Sequence, residues 1–312
     1  MDFLTPNLLK ILKPGRICAV HVKDRIVPGG MTGLGFQTVY PLHCKTIEHY
    51  VKHGFGYMGM KTIVTDVVRE NNQTYRLGWT EQCKDGTKMG VGMPEYLLLF
   101  RKPPTSTEKS YADHPVVKSK ADYTRGRWQI DAHGFSRSNG NRFMTPEELA
   151  KIPHEAMFKA YRKFSLENVY DFEHHVSLND GLALEGQLPV TFMLLQPQSW
   201  HPDVYTDITR MLTLNTSQSA RNKEMHLCPM QFDLADRVIE QFSEKGDVVF
   251  DPFGGLMTVP YRAILKGRYG MATELSASYF TDGVGYLAAA EKEQSMPSLF
   301  DFEEIEAEME VE

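Results

Sequence analysis

The stretch Gly246-Asp247-Val248-Val249-Phe250-Asp251-Pro252-Phe253-Gly254-Gly255, with Glu274 downstream, constrains this chain more than any other segment. Val248 to Phe250 is an apolar run of strand length. It ends at Asp251-Pro252, and two glycines follow, whose backbones can turn sharply and approach a ligand closely. Thr258 to Lys266 then reads as a helix, with Pro260 tolerated in its first turn and Gly267 closing it. A second strand, Tyr269 to Thr273, ends at Glu274. Strand, glycine turn, helix and a second strand ending in an acid form the local plan of a nucleoside site in a doubly wound sheet. Such a ligand lies over the carboxyl ends of the strands, and the acid takes the ribose hydroxyls.

The turn also narrows the choice of nucleoside. A dinucleotide fold would carry Gly-x-Gly-x-x-Gly, with a helix N-terminus facing a pyrophosphate. Here the run is Gly254-Gly255-Leu256-Met257-Thr258-Val259, and Asp251-Pro252-Phe253 precedes it. That favours a ligand without phosphates, such as S-adenosylmethionine, over a nicotinamide or flavin cofactor.

Asp251 to Gly255, preceded by Asn222-Lys223-Glu224-Met225-His226-Leu227-Cys228-Pro229-Met230-Gln231, resembles the DNA amino-methyltransferases, which methylate the exocyclic amine of adenine or cytosine. The order resembles their permuted class, in which the cofactor half follows the catalytic half. The resemblance implies an α/β fold: a Rossmann-like, mainly parallel methyltransferase sheet with helices on both faces and an inserted target-recognition region. Strands from residues 1–102 and 247–274 are expected to share that sheet, because each half alone has too few strands to cover both faces. The cofactor implied is S-adenosylmethionine. Asp251, Pro252, Phe253, Gly254 and Gly255 fall on its methionine side, Glu274 on its ribose, and Asn222, Lys223 and His226 cap the same cleft. The family's usual turn is Asp-Pro-Phe-x-Gly-Ser-Gly-Thr, and this chain has Leu256 and Met257 in place of Ser-Gly.

The charge balance fits a DNA partner once it is divided by segment. The formal net charge is -6 over 312 residues. Residues 301–312 hold Asp301 and six glutamates and no base, so the remaining body has 34 basic residues against 33 acidic. Residues 101–163 hold thirteen Lys/Arg against seven Asp/Glu. A basic body segment with an acidic tail suits a nucleic-acid partner. Within the segment, Arg125, Arg127, Arg137 and Arg142 interleave with Trp128 and Phe135. Arginine can pair with guanine edges or phosphates, and aromatic rings can stack on bases.

Four divisions are expected: 1–102, the catalytic-side half of the sheet; 103–205, the basic recognition insert; 206–290, the cofactor half; and 291–312, an acidic mobile tail. Helices are predicted over Phe3 to Leu12, Thr46 to His53, and Phe232 to Phe242, with one or two over Leu275 to Ala290. Ile17 to Val22, Thr62 to Val68, and Glu95 to Arg101 read as strands. The four cysteines form no Cys-x-x-Cys, so a reducing, cytoplasmic setting is expected and a zinc site is not. No apolar run approaches ~20 residues, so no membrane span is expected.

The family holds the target amine with an Asp/Ser/Asn-Pro-Pro-aromatic loop. The only Pro-Pro here is Pro103-Pro104, between Lys102 and Thr105, which does not match. In the permuted order that loop precedes a segment like Phe3 to Arg16. The chain is therefore expected to be the carboxy-terminal portion of such an enzyme, with a complementing chain as a potential partner. The alternative is a non-catalytic DNA- and cofactor-binding subunit. His21 to Arg25, at a strand end, could border the base pocket. Gln294-Ser295-Met296-Pro297-Ser298-Leu299-Phe300 loosely resembles the peptides that dock DNA enzymes on a replication sliding clamp.

Overall fold

A computed structural model describes residues 1–64, 83–87, 94–109, 111–124, 146–156, 159–160, 163, 172–187, 203–205, 208, 210 and 212–295. The chain divides into two compact units, Met1–Asp207 and Ile208–Glu312.

In the first unit the described elements are α1 (Leu4–Ile11), β1 (Ile17–Lys23), β2 (Arg25–Val27), α2 (Gly29–Thr32), β3 (Thr38–Tyr40), α3 (Leu42–Lys52), β4 (Gly56–Ile63), β5 (Glu95–Arg101), α4 (Pro146–Ala150), α5 (Phe172–Leu184) and β6 (Val204–Tyr205). The main sheet has the order β1-β5-β4-β6, and β2 and β3 form a separate antiparallel pair. β5 runs antiparallel to both β1 and β4, while β6 runs parallel to β4. Three strands therefore share one direction and β5 alone is reversed, which makes the sheet mixed. β5 reads Glu-Tyr-Leu-Leu-Leu-Phe-Arg because it is enclosed on both faces, with Leu98 and Phe100 fully buried. Leu8, Leu9 and Leu12 of the α1 segment and Ile47 of α3 pack onto a cluster of Tyr50, Phe55, Leu98 and Phe100. The Tyr50 and Phe100 rings stack at 4.6 Å.

β4 lies earlier than the sequence suggests. The strand expected at Thr62 to Val68 is Gly56–Ile63, and residues 65–68 fall outside the described residues. Gly, Met and Lys hide the pattern, and pairing with the apolar β5 overrides weak local propensity.

The second unit contains α6 (Leu214–Ala220), α7 (Phe232–Phe242), β7 (Val248–Asp251), α8 (Thr258–Leu265), β8 (Tyr269–Ala272) and α9 (Ala277–Ser295). β7 and β8 pair in parallel, as a strand-helix-strand crossover requires. α7 buries Leu234, Ala235 and Ile239, and Ala235 and Ile239 pack with Ala263 of α8. A bidentate pair joins the two helices: Arg262 donates through Nε and Nη2 to Asp236 at 2.7 and 2.6 Å. The segment after Glu274 forms one helix that runs through Gly283. A Cβ at Gly283 would meet the Met257 side chain at 2.3 Å, so close packing selects glycine there despite its low helix propensity.

Among the described residues the strands form three sheets, mixed in the first unit and parallel in the second, and helices accompany them in both units, as the expected α/β class requires. The first unit has an apolar cluster around Phe100, and the second has one around Leu256 and another around Ile239.

Candidate functional site

The second unit builds a tight cradle at the carboxyl ends of β7 and β8. β7 ends at Asp251, whose Oδ1 accepts from the Phe253 amide at 2.9 Å. The Gly254 amide donates to the Thr273 carbonyl at 2.8 Å, and the Thr273 hydroxyl donates to the Pro252 carbonyl at 2.7 Å. The Gly255 amide donates to Glu274 Oε2 at 2.7 Å, and the Ser276 amide to Oε1 at 2.7 Å. The acid after the second strand is thereby held against the turn after the first. Phe253 projects outward, 67% exposed.

Gly255 has φ +53°, and a Cβ there would stand 3.0 Å from His226 Nε2. His226 is therefore brought against the turn. Its backbone is clamped by the Asn215 side chain, which donates to the His226 carbonyl at 2.7 Å and accepts from its amide at 2.8 Å. The Cys228 amide donates to His226 Nδ1 at 3.2 Å, so the ring proton lies on Nε2, toward the turn. Sequence reasoning missed Asn215, because an eleven-residue separation carries no local signal.

Lys223 is engaged by a helix of the same unit. It pairs with Asp282 of α9, whose other oxygen accepts from Gln218 at 2.8 Å, and the buried Tyr286 hydroxyl donates to Gln218 at 2.8 Å. Asn222 takes a left-handed backbone, φ 52°, at the end of this segment. The two carboxylates of the cradle differ in character. Burial pushes the Asp251 carboxyl up, against the Phe253 amide bond and with the Glu274 charge nearby adding to the rise. The Ser276 amide, opposed by desolvation, and then the Gly255 and Leu275 amides hold Glu274 below its usual range, and His226 adds to this. Glu274 is thus ionised and acceptor-only at neutral pH.

Leu256 and Met257, which stand where the family's turn has Ser-Gly, are both buried. Met257 has φ 65°, a left-handed backbone that glycine adopts without strain. Its side chain fills the space between Gly254 and Gly283.

In the first unit, His21 of β1 hydrogen-bonds the buried Glu95 at 2.8 Å, with Lys23 at 3.7 Å. Asp24 is buried and meets His43 Nδ1 at 2.8 Å. The polar end of β1 is therefore a hydrogen-bonded network that includes the Lys23–Glu95 ion pair. Arg125, Arg127, Trp128, Arg137 and Arg142 lie outside the described residues, as does the clamp-like segment from Met296 onward. No helix among the described residues is long and apolar enough to cross a membrane.

A model of the DNA methylase family matches residues 8–284. Type II methyltransferase M.MthZI of Methanothermobacter thermautotrophicus is 23% identical over 283 residues, covering 86% of this chain and 53% of that protein. The chain thus spans about half the length of the curated relative it matches. TTHA0409 of Thermus thermophilus, solved with S-adenosyl-L-methionine, is 18% identical, covers 93% of this chain and 75% of its own, and gives a TM-score of 0.47. The M1.HpyAVI–SAM complex is 10% identical, covers 91% and 81%, and gives 0.42. The match over residues 8–284 takes in both the sheet of the first unit and the glycine turn with its acid, and the chain belongs to the DNA methylase family.

Proposed function

We propose that this chain binds S-adenosylmethionine in the cradle of its second unit and serves methylation of an exocyclic amine, of adenine or cytosine, in DNA. The observation that carries the reading is the pairing of the Gly255 amide with Glu274. It sets an ionised, acceptor-only carboxylate beside the glycine turn at the carboxyl ends of β7 and β8. Glu274 would hold the ribose hydroxyls. Asp251, Pro252, Phe253, Gly254 and Gly255 would line the methionine side, with Asn222, Lys223 and His226 around the cleft. When bound, the cofactor supplies an electrophilic methyl group. The chain's own residues bind and orient it, and His226 packs against the turn.

The amine must be held by other groups, because no Asp/Ser/Asn-Pro-Pro-aromatic loop occurs in the sequence. The reading we favour is that a complementing segment provides them. Effective molarity falls steeply when a positioning element is missing, so turnover by this chain alone is expected to be lower by ~10²-fold or more. The test is transfer of tritiated methyl from S-adenosylmethionine to mixed-sequence DNA, with and without a segment carrying such a loop. Cofactor binding with restored transfer on addition supports the reading. Robust turnover by this chain alone would assign the amine-holding role to its own residues, with His21 to Arg25 the first to examine. A chain that binds no cofactor would remove the proposal altogether.

A further inference from the structure

The first unit carries a side-chain cluster that the proposed cofactor cradle does not include. His49 and His53 stand four residues apart, on α3 and at its C-cap, which places both rings on one helix face. Asp2, from the turn before α1, reaches the same face. Its Oδ1 lies 3.2 Å from His53 Nε2 and 3.7 Å from His49 Nδ1. The three donor atoms all lie within 4.8 Å of one another.

We propose that Asp2, His49 and His53 form a binding site for one divalent cation of the zinc class, with a fourth position open to water. The spacing fits such an ion. Bonds of ~2.0–2.1 Å at tetrahedral angles place donor atoms ~3.3 Å apart, close to both distances from Asp2. Two imidazoles and a carboxylate are a borderline-soft set that suits zinc better than calcium or magnesium. A second feature prepares the site. The far nitrogen of His49, Nε2, lies 2.9 Å from the hydroxyl of Thr5, which is fully buried beneath the helix. With its proton on Nε2 and donated to Thr5, His49 presents the Nδ1 lone pair to the cation. This is the hydrogen bond to the non-ligating nitrogen that orients metal-bound histidines. The ion would take the place of the hydrogen bond between His53 Nε2 and Asp2 Oδ1. It would tie the start of α1 to α3. Absence of Cys-x-x-Cys argues only against a thiolate site, and this one uses none.

The test is titration of the purified, untagged chain with zinc against a chromophoric chelator, with cobalt(II) absorption reporting tetrahedral geometry. One ion per chain is expected. His49→Gln and His53→Gln should each weaken binding by at least about tenfold, and Thr5→Val, which removes only the orienting group, by about tenfold as well. Asp2 is exposed, so Asp2→Asn should keep the fold and still lower affinity. Circular dichroism and thermal unfolding of each variant check that the first unit is intact. The absence of saturable binding would overturn the site. So would undiminished affinity in folded Asp2→Asn and His53→Gln variants, which would place the ion elsewhere. Neither result bears on S-adenosylmethionine binding, which is measured on separate residues.

Discussion

The Gly255 amide donates to Glu274 Oε2 at 2.7 Å, so the acid that closes β8 also fixes the turn that leaves β7. One side chain then has two consequences that can be separated. Glu274→Ala should weaken S-adenosylmethionine by roughly ten- to a hundredfold, the effect of losing a charge-assisted contact of about 1.5–3 kcal/mol. It should also loosen the turn without ligand. Calorimetric titration measures the first effect and hydrogen exchange at Gly255 the second. Unchanged affinity would move the ribose site elsewhere.

The two acids should respond oppositely to pH. Glu274 has a folded pKa below its ordinary value of 4.5, so its contribution is fully present above 4.5 and is lost as pH falls through the lower folded value. Asp251 is raised above 3.8, chiefly by burial, so the stability its shift contributes is fully present below 3.8 and is lost as pH rises through its folded value. Asp251→Asn should therefore raise the melting temperature of the ligand-free protein at neutral pH while weakening the cofactor. Scanning calorimetry and titration on the same variant test both. A lower melting temperature would mean that the Phe253 bond outweighs desolvation.

Met257 combines a left-handed backbone with a buried side chain. Met257→Gly would relieve about 1–2 kcal/mol of backbone strain. It would also remove side-chain packing against Gly254 and Gly283, and loss of a buried Met costs about 2–5 kcal/mol. Packing outweighs strain, so the variant is expected to be less stable by about 1–3 kcal/mol, read from urea midpoints. A more stable variant would show that the cavity collapses at little cost.

These details differ in how much the sequence revealed. α7 was legible to the residue, Phe232–Phe242, because its apolar positions follow the helical period and bury one face. The βαβ unit with Gly254, Gly255 and Glu274 was legible because strand ends, glycines and acids carry local signals. β4 was not, since Gly56–Ile63 owes its state to the neighbouring β5. Met257's positive φ was hidden for a related reason. Burial between two glycines holds it there, and no property of methionine announces it. The Asn215 clamp on His226 and the approach of Asp2 to His49 join residues distant in the chain, so neither spacing nor period exposes them.

Recognition of DNA is the remaining expectation, and it rests on charge. Residues 101–163 have thirteen Lys/Arg against seven Asp/Glu, with Arg125, Arg127, Arg137 and Arg142 set among aromatics. If these four contact phosphates, each releases condensed counterions when DNA binds. Replacing one with alanine should then reduce the slope of log affinity against log salt by about one, with little change in sequence preference. An arginine that reads a base edge should behave differently, costing about 1–3 kcal/mol at one position of the site and leaving the slope nearly intact. Fluorescence anisotropy on short duplexes across a salt series separates the two. Replacement of all four with no change in affinity or slope would remove the insert from the recognition surface.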